Sequence, residues 1–168
     1  LTTVDADTVT ASFDVATSVA SVVTVSNTAA AVTGNTYVLT TGIDTLVGTA
    51  NADVFSAIQS ATATTETWDV ADTIDGGAGA DILNLTSEEA AAANATTVTN
   101  VETVNYRAAL AGGDIDMQNM TGVTTLNLDR WTGATDVSNL NLSTALTITS
   151  GTGTLNSTVA FLASDVTG

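Results

Sequence analysis

Aspartate recurs at a fixed place in four nine-residue stretches of this sequence, 39–47, 48–56, 67–75 and 76–84. Each stretch has Asp at its sixth position and a large apolar residue at its eighth, and the aspartates are Asp44, Asp53, Asp72 and Asp81. The stretch 76–84, GGAGADILN, matches the nonapeptide G-G-x-G-x-D-x-U-x of calcium-binding β-helices at every specified position. Carboxylates together with turn carbonyls form the oxygen-rich environment that Ca²⁺ requires.

The nine-residue spacing predicts a short turn followed by a short strand. The first six residues form a turn that glycine permits, and the last three form a strand whose eighth residue points into the core. Two such units make one coil, and coils stacked about 4.8 Å apart bring the aspartates of neighbouring turns together. The pattern therefore predicts Ca²⁺ sites between stacked turns.

A second period of about twenty residues follows. Apolar residues recur three times in register: Val98, Val101, Val104 and Tyr106, then Met120, Val123, Leu126 and Leu128, then Leu140, Ser143, Leu146 and Ile148. Ile115 and Met117 precede the second set as Thr135 and Val137 precede the third. This predicts an all-β fold, a right-handed parallel β-helix (β-solenoid) whose inward residues stack in columns.

Composition excludes several classes of function. The 168 residues carry a formal charge of −16, with Lys+Arg 2 and no His, Cys or Pro. Disulfides, Ser-His-Asp triads and thiolate or imidazole metal sites are therefore excluded. The negative charge makes nucleic acid and anionic membranes poor partners and divalent cations good ones. A hydrophobic content of 44% is enough to build a core.

The chain is predicted to have three parts. Residues 1–38 form an N-terminal β segment, either preceding coils or a small β-domain. Residues 39–84 hold the nine-residue repeats, interrupted by an insertion at 57–66, and residues 85–168 form the coils of about 20 residues. The insertion separates the repeats into two pairs, and 67–75, which follows it, is the weakest unit. Ser87 with the acids and alanines after it predicts a helical turn at 87–93.

The stretches TYVLTTGIDTLVGTANADVF, TWDVADTIDGGAGADILNLT and VTNVETVNY resemble the calcium-binding surface-layer (S-layer) proteins and related large adhesins of Gram-negative bacteria, which carry RTX repeats. The resemblance covers roughly residues 36–150. It implies a chain with β-roll turns that is exported by type I secretion, folds on meeting external Ca²⁺ and assembles into a lattice on the cell surface. Its function would be structural, with neighbouring copies as partners and a cell-surface polysaccharide as a further candidate.

The resemblance also implies individual metal-site residues. Asp44, Asp53, Asp72 and Asp81 match the aspartate of the motif; Gly42, Asn51 and Gly79 match its second glycine-like position; Gly76 and Gly77 open the last unit. Asp69 and Asp75 are further candidate ligands. Departures such as Val70, which replaces the glycine at position four of the third unit, put the number of ions in doubt.

Two other functions compete with a structural role in a surface layer. An adhesin would use the solenoid as a stalk, and a polysaccharide-active β-helix enzyme would use paired carboxylates in a cleft. Such an enzyme needs cations to bind acidic sugars, and this chain has two Arg and no Lys. We therefore expect no enzymatic activity.

Overall fold

A computed structural model describes residues 4–5, 25–26, 33–90, 96–152 and 159–162. The chain divides into two compact units, Leu1–Val32 and Thr33–Gly168. In the first unit, strands β1 (Val4–Asp5) and β2 (Val25–Ser26) pair in parallel. Residues 1–3, 6–24 and 27–32 of the predicted N-terminal β segment lie outside the described residues.

The second unit contains thirteen described strands. They are β3 (Thr36–Val38), β4 (Thr45–Val47), β5 (Val54–Gln59), β6 (Thr73–Asp75), β7 (Ile82–Ser87), β8 (Thr97–Thr99), β9 (Thr103–Ala108), β10 (Ile115–Asp116), β11 (Met120–Thr121), β12 (Thr125–Thr132), β13 (Val137–Leu140), β14 (Ala145–Thr152) and β15 (Val159–Phe161).

These strands form three sheets in which every pairing is parallel. The six-stranded sheet has the order β14-β12-β9-β7-β5-β3, the four-stranded sheet β11-β8-β6-β4 and the three-stranded sheet β10-β13-β15. Because neighbours in each sheet come from successive coils of the chain, the architecture is a parallel β-solenoid, which confirms the predicted fold. Within the described residues, no helix is long and apolar enough to cross a membrane.

The turn-and-strand division of the nonapeptides is confirmed. Strands β4, β5, β6 and β7 each begin at the seventh residue of a repeat. The eighth residues Phe55, Ile74 and Leu83 are buried in the core, and Leu46 of the first coil is partly buried against it. Alternation of inward and outward residues along each strand places these anchors inside.

The pairing predicted from the twenty-residue period is confirmed in the six-stranded sheet. In the three-stranded sheet the pairing register differs by two residues. Leu126 pairs with Val104 on one side and Leu146 on the other, as predicted. Ile115, however, pairs with Val137, whereas the sequence alignment matched it to Thr135. The coil joining these strands is 22 residues long instead of 20, and the extra residues move the register by two.

The insertion lengthens strand β5 and adds a loop after it. Its first three residues extend β5 to Gln59, and Ala57 and Gln59 point inward and are buried. Glu66 then closes the loop, because its carboxylate accepts hydrogen bonds from the backbone N–H groups of Ser60 (2.6 Å) and Trp68 (2.9 Å). Trp68 is fully buried and returns the chain to the core.

The predicted helical turn after Ser87 does not form over residues 87–90. Ser87 is the last residue of β7 and is buried, since the parallel partner strands β5 and β9 hold it in the ladder. Residues 91–93 of the predicted helix lie outside the described residues.

Candidate functional site

Acidic side chains cap the backbone of neighbouring coils at one corner of the solenoid. The N–H of Asp53 donates to Oδ1 of Asp81 (2.7 Å), and the N–H of Asp81 donates to Oε2 of Glu102 (2.7 Å). We call Asp53, Asp81 and Glu102 the carboxylate ladder. Asn35 extends it towards the N-terminus, since its N–H donates to Oδ1 of Asp53 (2.5 Å). Each bond pairs a charged acceptor with a backbone donor at the sheet margin.

The other two repeat aspartates form an equivalent pair. The N–H of Asp44 donates to Oδ1 of Asp72 at 2.8 Å. Oδ2 of Asp72 accepts the N–H of Asp69 (2.7 Å), and the carboxylate of Asp44 accepts the N–H (2.7 Å) and hydroxyl of Thr40. The Thr40 hydroxyl also lies 3.2 Å from Oδ1 of Asp44, so both oxygens of Asp44 and of Asp72 are engaged by the protein.

Asp81 differs from the other repeat aspartates in the hydrogen bonding of its Oδ2 atom. In the unit 48–56, one coil earlier, Oδ2 of Asp53 accepts the N–H (2.5 Å) and the hydroxyl (3.0 Å) of Thr49, the residue at position two. The position-two residue before Asp81 is Gly77, and its N–H donates instead to Oδ1 of Asp75 (3.0 Å). Oδ2 of Asp81 is buried and accepts no hydrogen bond.

The surroundings of Asp81 are strongly negative. Burial raises the pKa of the Asp81 carboxyl, and the charges of Glu102, Asp53 and Asp75 raise it further. By contrast, the N–H of Thr49, assisted by that of Asn35, lowers the pKa of Asp53 against the effect of its burial. The protein therefore stabilises the ionised form of Asp81 less than that of Asp53.

Glycines permit the close stacking beneath Asp81. A Cβ on Gly76 would lie 1.9 Å from the carbonyl oxygen of Asn100 and 2.6 Å from Oδ2 of Asp81. Gly77 has a φ of +90°, a conformation that other residues rarely adopt. The first glycine of the motif is therefore required because the neighbouring backbone lies too close for a side chain. The second is required because its φ is positive.

The remaining predicted site residues lie in the turns. Asp75 accepts the Nδ2 of Asn100 at 2.8 Å, a bond that, with the Gly77 N–H, lowers its pKa. The N–H of Asn51 donates to the Thr49 hydroxyl (3.1 Å) and that of Gly42 to the Thr40 hydroxyl (3.3 Å). Gly79 adopts a φ of +137° beside the Asn51 carbonyl.

The described acids do not form a metal site by themselves. Among the described residues, no group of three or more His, Cys, Asp or Glu side chains is arranged to hold a metal ion. A cation would therefore depend on Asp81 and on backbone oxygens, with the other acids acting through their charge. Asp81 is the only repeat aspartate here with a buried oxygen that accepts no hydrogen bond, and carboxylate oxygen is the donor that Ca²⁺ prefers.

Glu102 is a ladder residue that the motif search missed. Residues 97–105, TVTNVETVN, have Glu at position six and Val104 at position eight, and their strand β9 starts at position seven. They form a fifth nine-residue unit in which Glu replaces Asp. Allowing either acid at position six would have found it.

A search against family models and curated protein sequences finds no match to this chain. The class that the fold and the turns define is a parallel β-solenoid with carboxylate-capped corners. Its function must therefore be argued from its own residues.

Proposed function

We propose that this chain is a structural, calcium-dependent segment of a bacterial surface layer, secreted by a type I system and folded at the cell surface. The observation that carries the proposal is the buried Oδ2 of Asp81, which accepts no hydrogen bond. A buried charged oxygen without a donor costs folding free energy, and a bound cation would remove that cost. This oxygen belongs to the repeat that matches the calcium-binding nonapeptide completely.

Asp81 would hold the ion, and the charges of Asp75, Asp53 and Glu102 would favour its binding. When bound, Ca²⁺ supplies positive charge that offsets the repulsion between these four acids. Asp53 and Glu102 keep the turns in register by accepting backbone N–H groups from the neighbouring coils. Hydrogen bonds would thus hold the turns of Asp53 and Glu102, and the ion would hold the turn of Asp81 between them.

Calcium would act as an external folding switch. Extracellular Ca²⁺ modules bind with Kd of about 10⁻⁴ to 10⁻³ M. At a hundred times Kd, one site adds about 2.7 kcal/mol to the stability of the folded state. In a chain of charge −16, which repels itself in the compact state, this is a large fraction of the net stability of a domain.

The remaining features of the proposal concern assembly. Neighbouring copies in a lattice are the proposed partners, a cell-surface polysaccharide is a candidate anchor, and no catalytic role is proposed. An adhesin stalk is the alternative, since the turns resemble both surface-layer proteins and large adhesins. Electron microscopy of the purified protein in Ca²⁺ tests this, because a lattice protein forms two-dimensional sheets and a stalk stays dispersed.

The calcium step is tested by melting the EDTA-stripped protein in Ca²⁺ and in Mg²⁺ and following far-UV circular dichroism. We expect Tm to rise with Ca²⁺ and much less with Mg²⁺, which fits a large flexible oxygen site poorly. Asp81→Asn should remove the Ca²⁺-dependent rise. Asp44→Asn is the matched control, because both oxygens of Asp44 are engaged by Thr40, and it should retain the rise.

Two results would contradict the calcium proposal. One is a wild-type Tm that does not respond to Ca²⁺. The other is an equal loss of the response in Asp81→Asn and Asp44→Asn, because the effect would then belong to charge in general and not to the Asp81 site.

A further inference from the structure

The outward side of the six-stranded sheet presents three straight columns of side chains. Strand register places equivalent residues of successive coils side by side. The columns are Thr36, Val54, Ile82, Thr103, Thr125 and Ala145; Val38, Ser56, Asn84, Asn105, Asn127 and Thr147; and Ile58, Thr86 and Arg107. We call these residues the outer face. All of them keep part of their surface open to solvent.

The outer face is almost free of charge. Arg107 is the single charged residue in its three columns, although the chain as a whole has 18 acidic residues. Asp129 and Arg130 of β12 lie beside the columns and form an ion pair with each other (3.1 Å). The carboxylate ladder lies outside these columns. Two copies of this chain repel each other over most orientations, and the outer face is a surface on which they can approach with few opposing carboxylates.

The three asparagines in the middle of the outer face bond to one another. Nδ2 of Asn105 donates to Oδ1 of Asn84 (2.8 Å), and Nδ2 of Asn127 donates to Oδ1 of Asn105 (2.9 Å). Covering this column therefore removes few hydrogen bonds to water, and stacked Asn columns occur in dry contacts between sheets.

Apolar side chains lie at one end of the outer face. Val38 is 70% exposed and Ile58 is 37% exposed. They border a shallow hollow of about 250 Å³ that Ser56, Asn84 and Thr86 also line. The hollow has the size to accept an aliphatic side chain from a facing surface, which would remove the exposed apolar area from water.

We propose that the outer face is a self-association surface whose partner is a second copy of this chain, docked sheet against sheet. Sheets that pack face to face lie about 10 Å apart. Six strands about 4.8 Å apart, with about six residues each, cover about 500 Å². Stable interfaces bury about 800 Å² per partner, so the contact is weak, reversible and dependent on concentration, as repeated contacts in an assembly can be.

Sedimentation equilibrium of the full chain in Ca²⁺ buffer tests the proposal. We expect the mean mass of the wild type to rise towards that of a dimer between about 10 μM and about 1 mM, the range of weak interfaces. The double variant Val38→Glu/Ile58→Glu should weaken association at least about tenfold, because it places like charges opposite each other. Val47→Glu is the matched control. Val47 lies in the same coil as Val38 and is 61% exposed, but it belongs to the four-stranded sheet. It should associate as the wild type does.

A cross-linking experiment locates the contact independently. The chain contains no cysteine, so a single introduced thiol reports its own neighbours. Under mild oxidation, Thr86→Cys on the outer face should form disulfide-linked dimers, and Thr97→Cys on the four-stranded sheet should not. Circular dichroism of every variant confirms that the fold is kept.

Three results would overturn the proposal. They are a wild type that stays monomeric throughout the concentration range, equal weakening by Val38→Glu/Ile58→Glu and Val47→Glu, and equal cross-linking of Thr86→Cys and Thr97→Cys. Binding of a neutral polysaccharide by monomeric wild type, lost in the double variant, would assign the face to a glycan instead. Because all measurements use Ca²⁺ buffer, they are separate from the Tm response that tests the calcium proposal.

Discussion

The backbone N–H of Asp53 donates a 2.7 Å hydrogen bond to the carboxylate of Asp81, a residue 28 positions later in the chain. The same geometry recurs one coil on, between Asp81 and Glu102, over 21 positions. The acids of the nine-residue repeats therefore have a structural task before any metal binds. They cap the N–H groups that the ends of parallel strands leave without a backbone partner.

Removing the last acid of the carboxylate ladder should destabilise the solenoid. Glu102→Ala leaves the buried N–H of Asp81 without an acceptor, which costs about 1–3 kcal/mol. Glu102→Gln keeps an acceptor oxygen and should lose less than about half as much. Urea denaturation measures both values. A Glu102→Gln variant as unstable as Glu102→Ala would show that the charge, and not the hydrogen bond, is what matters.

Adding one methyl group at Gly76 should be far more damaging than adding it at Gly42. A Cβ at Gly76 would lie 1.9 Å from the Asn100 carbonyl, whereas at Gly42 the nearest atom is 3.8 Å away. We expect Gly76→Ala to cost at least about 3 kcal/mol or to prevent folding, since backbone must move. Gly42→Ala should change stability by less than about 1 kcal/mol. Comparable denaturation midpoints for the two variants would show that the coils can separate at little cost.

The metal-free protein should be most stable in mild acid. Asp81 and Glu66 have raised pKa values, each mainly because of burial. The stability from their protonated forms is complete below their ordinary pKa values of 3.8 and 4.5, and is lost as the pH rises through the raised folded-state values. Acidification from pH 7 should therefore raise Tm at first.

Further acidification should reverse the gain. Hydrogen bonds from Thr49 and Asn100 lower the pKa values of Asp53 and Asp75, so their contribution exists above the ordinary value of 3.8 and disappears as the pH falls through the lower folded-state values. Thermal melts in EDTA from pH 7 to pH 2 should show a maximum. A Tm that falls steadily from neutral pH would contradict the raised pKa values of Asp81 and Glu66.

The insertion should tolerate change at its tip and not at its base. Residues 61–65 are exposed, and replacing them with two glycines should alter stability by less than about 1 kcal/mol, because loop closure depends weakly on length. Glu66→Ala removes the acceptor of two backbone N–H groups and should cost about 1–3 kcal/mol. Chemical denaturation compares them, and an equal loss in both variants would indicate that the tip itself supports the core.

The sequence alone was enough to predict the local design of the coils. The change from turn to strand at position seven and the inward apolar residue at position eight follow from glycine conformations and from the two-residue period of a strand, both of which are properties of adjacent residues. The pairing of Val104, Leu126 and Leu146 was also predicted, because equal spacing places similar residues in one column. The sequence did not predict the two-residue shift of Ile115, which arises because successive coils differ in length.

The chemistry at the corners was decided by tertiary structure. Whether an aspartate oxygen is engaged depends on where a neighbouring N–H points: Thr49 turns its N–H to Asp53, whereas Gly77 turns its N–H to Asp75. The capping role of Glu102 likewise depends on contact between coils 21 residues apart. A repeat motif specifies which residues occupy a turn. Hydrogen bonds between turns depend on the stacking of coils, because their donors and acceptors meet only when distant segments come into register.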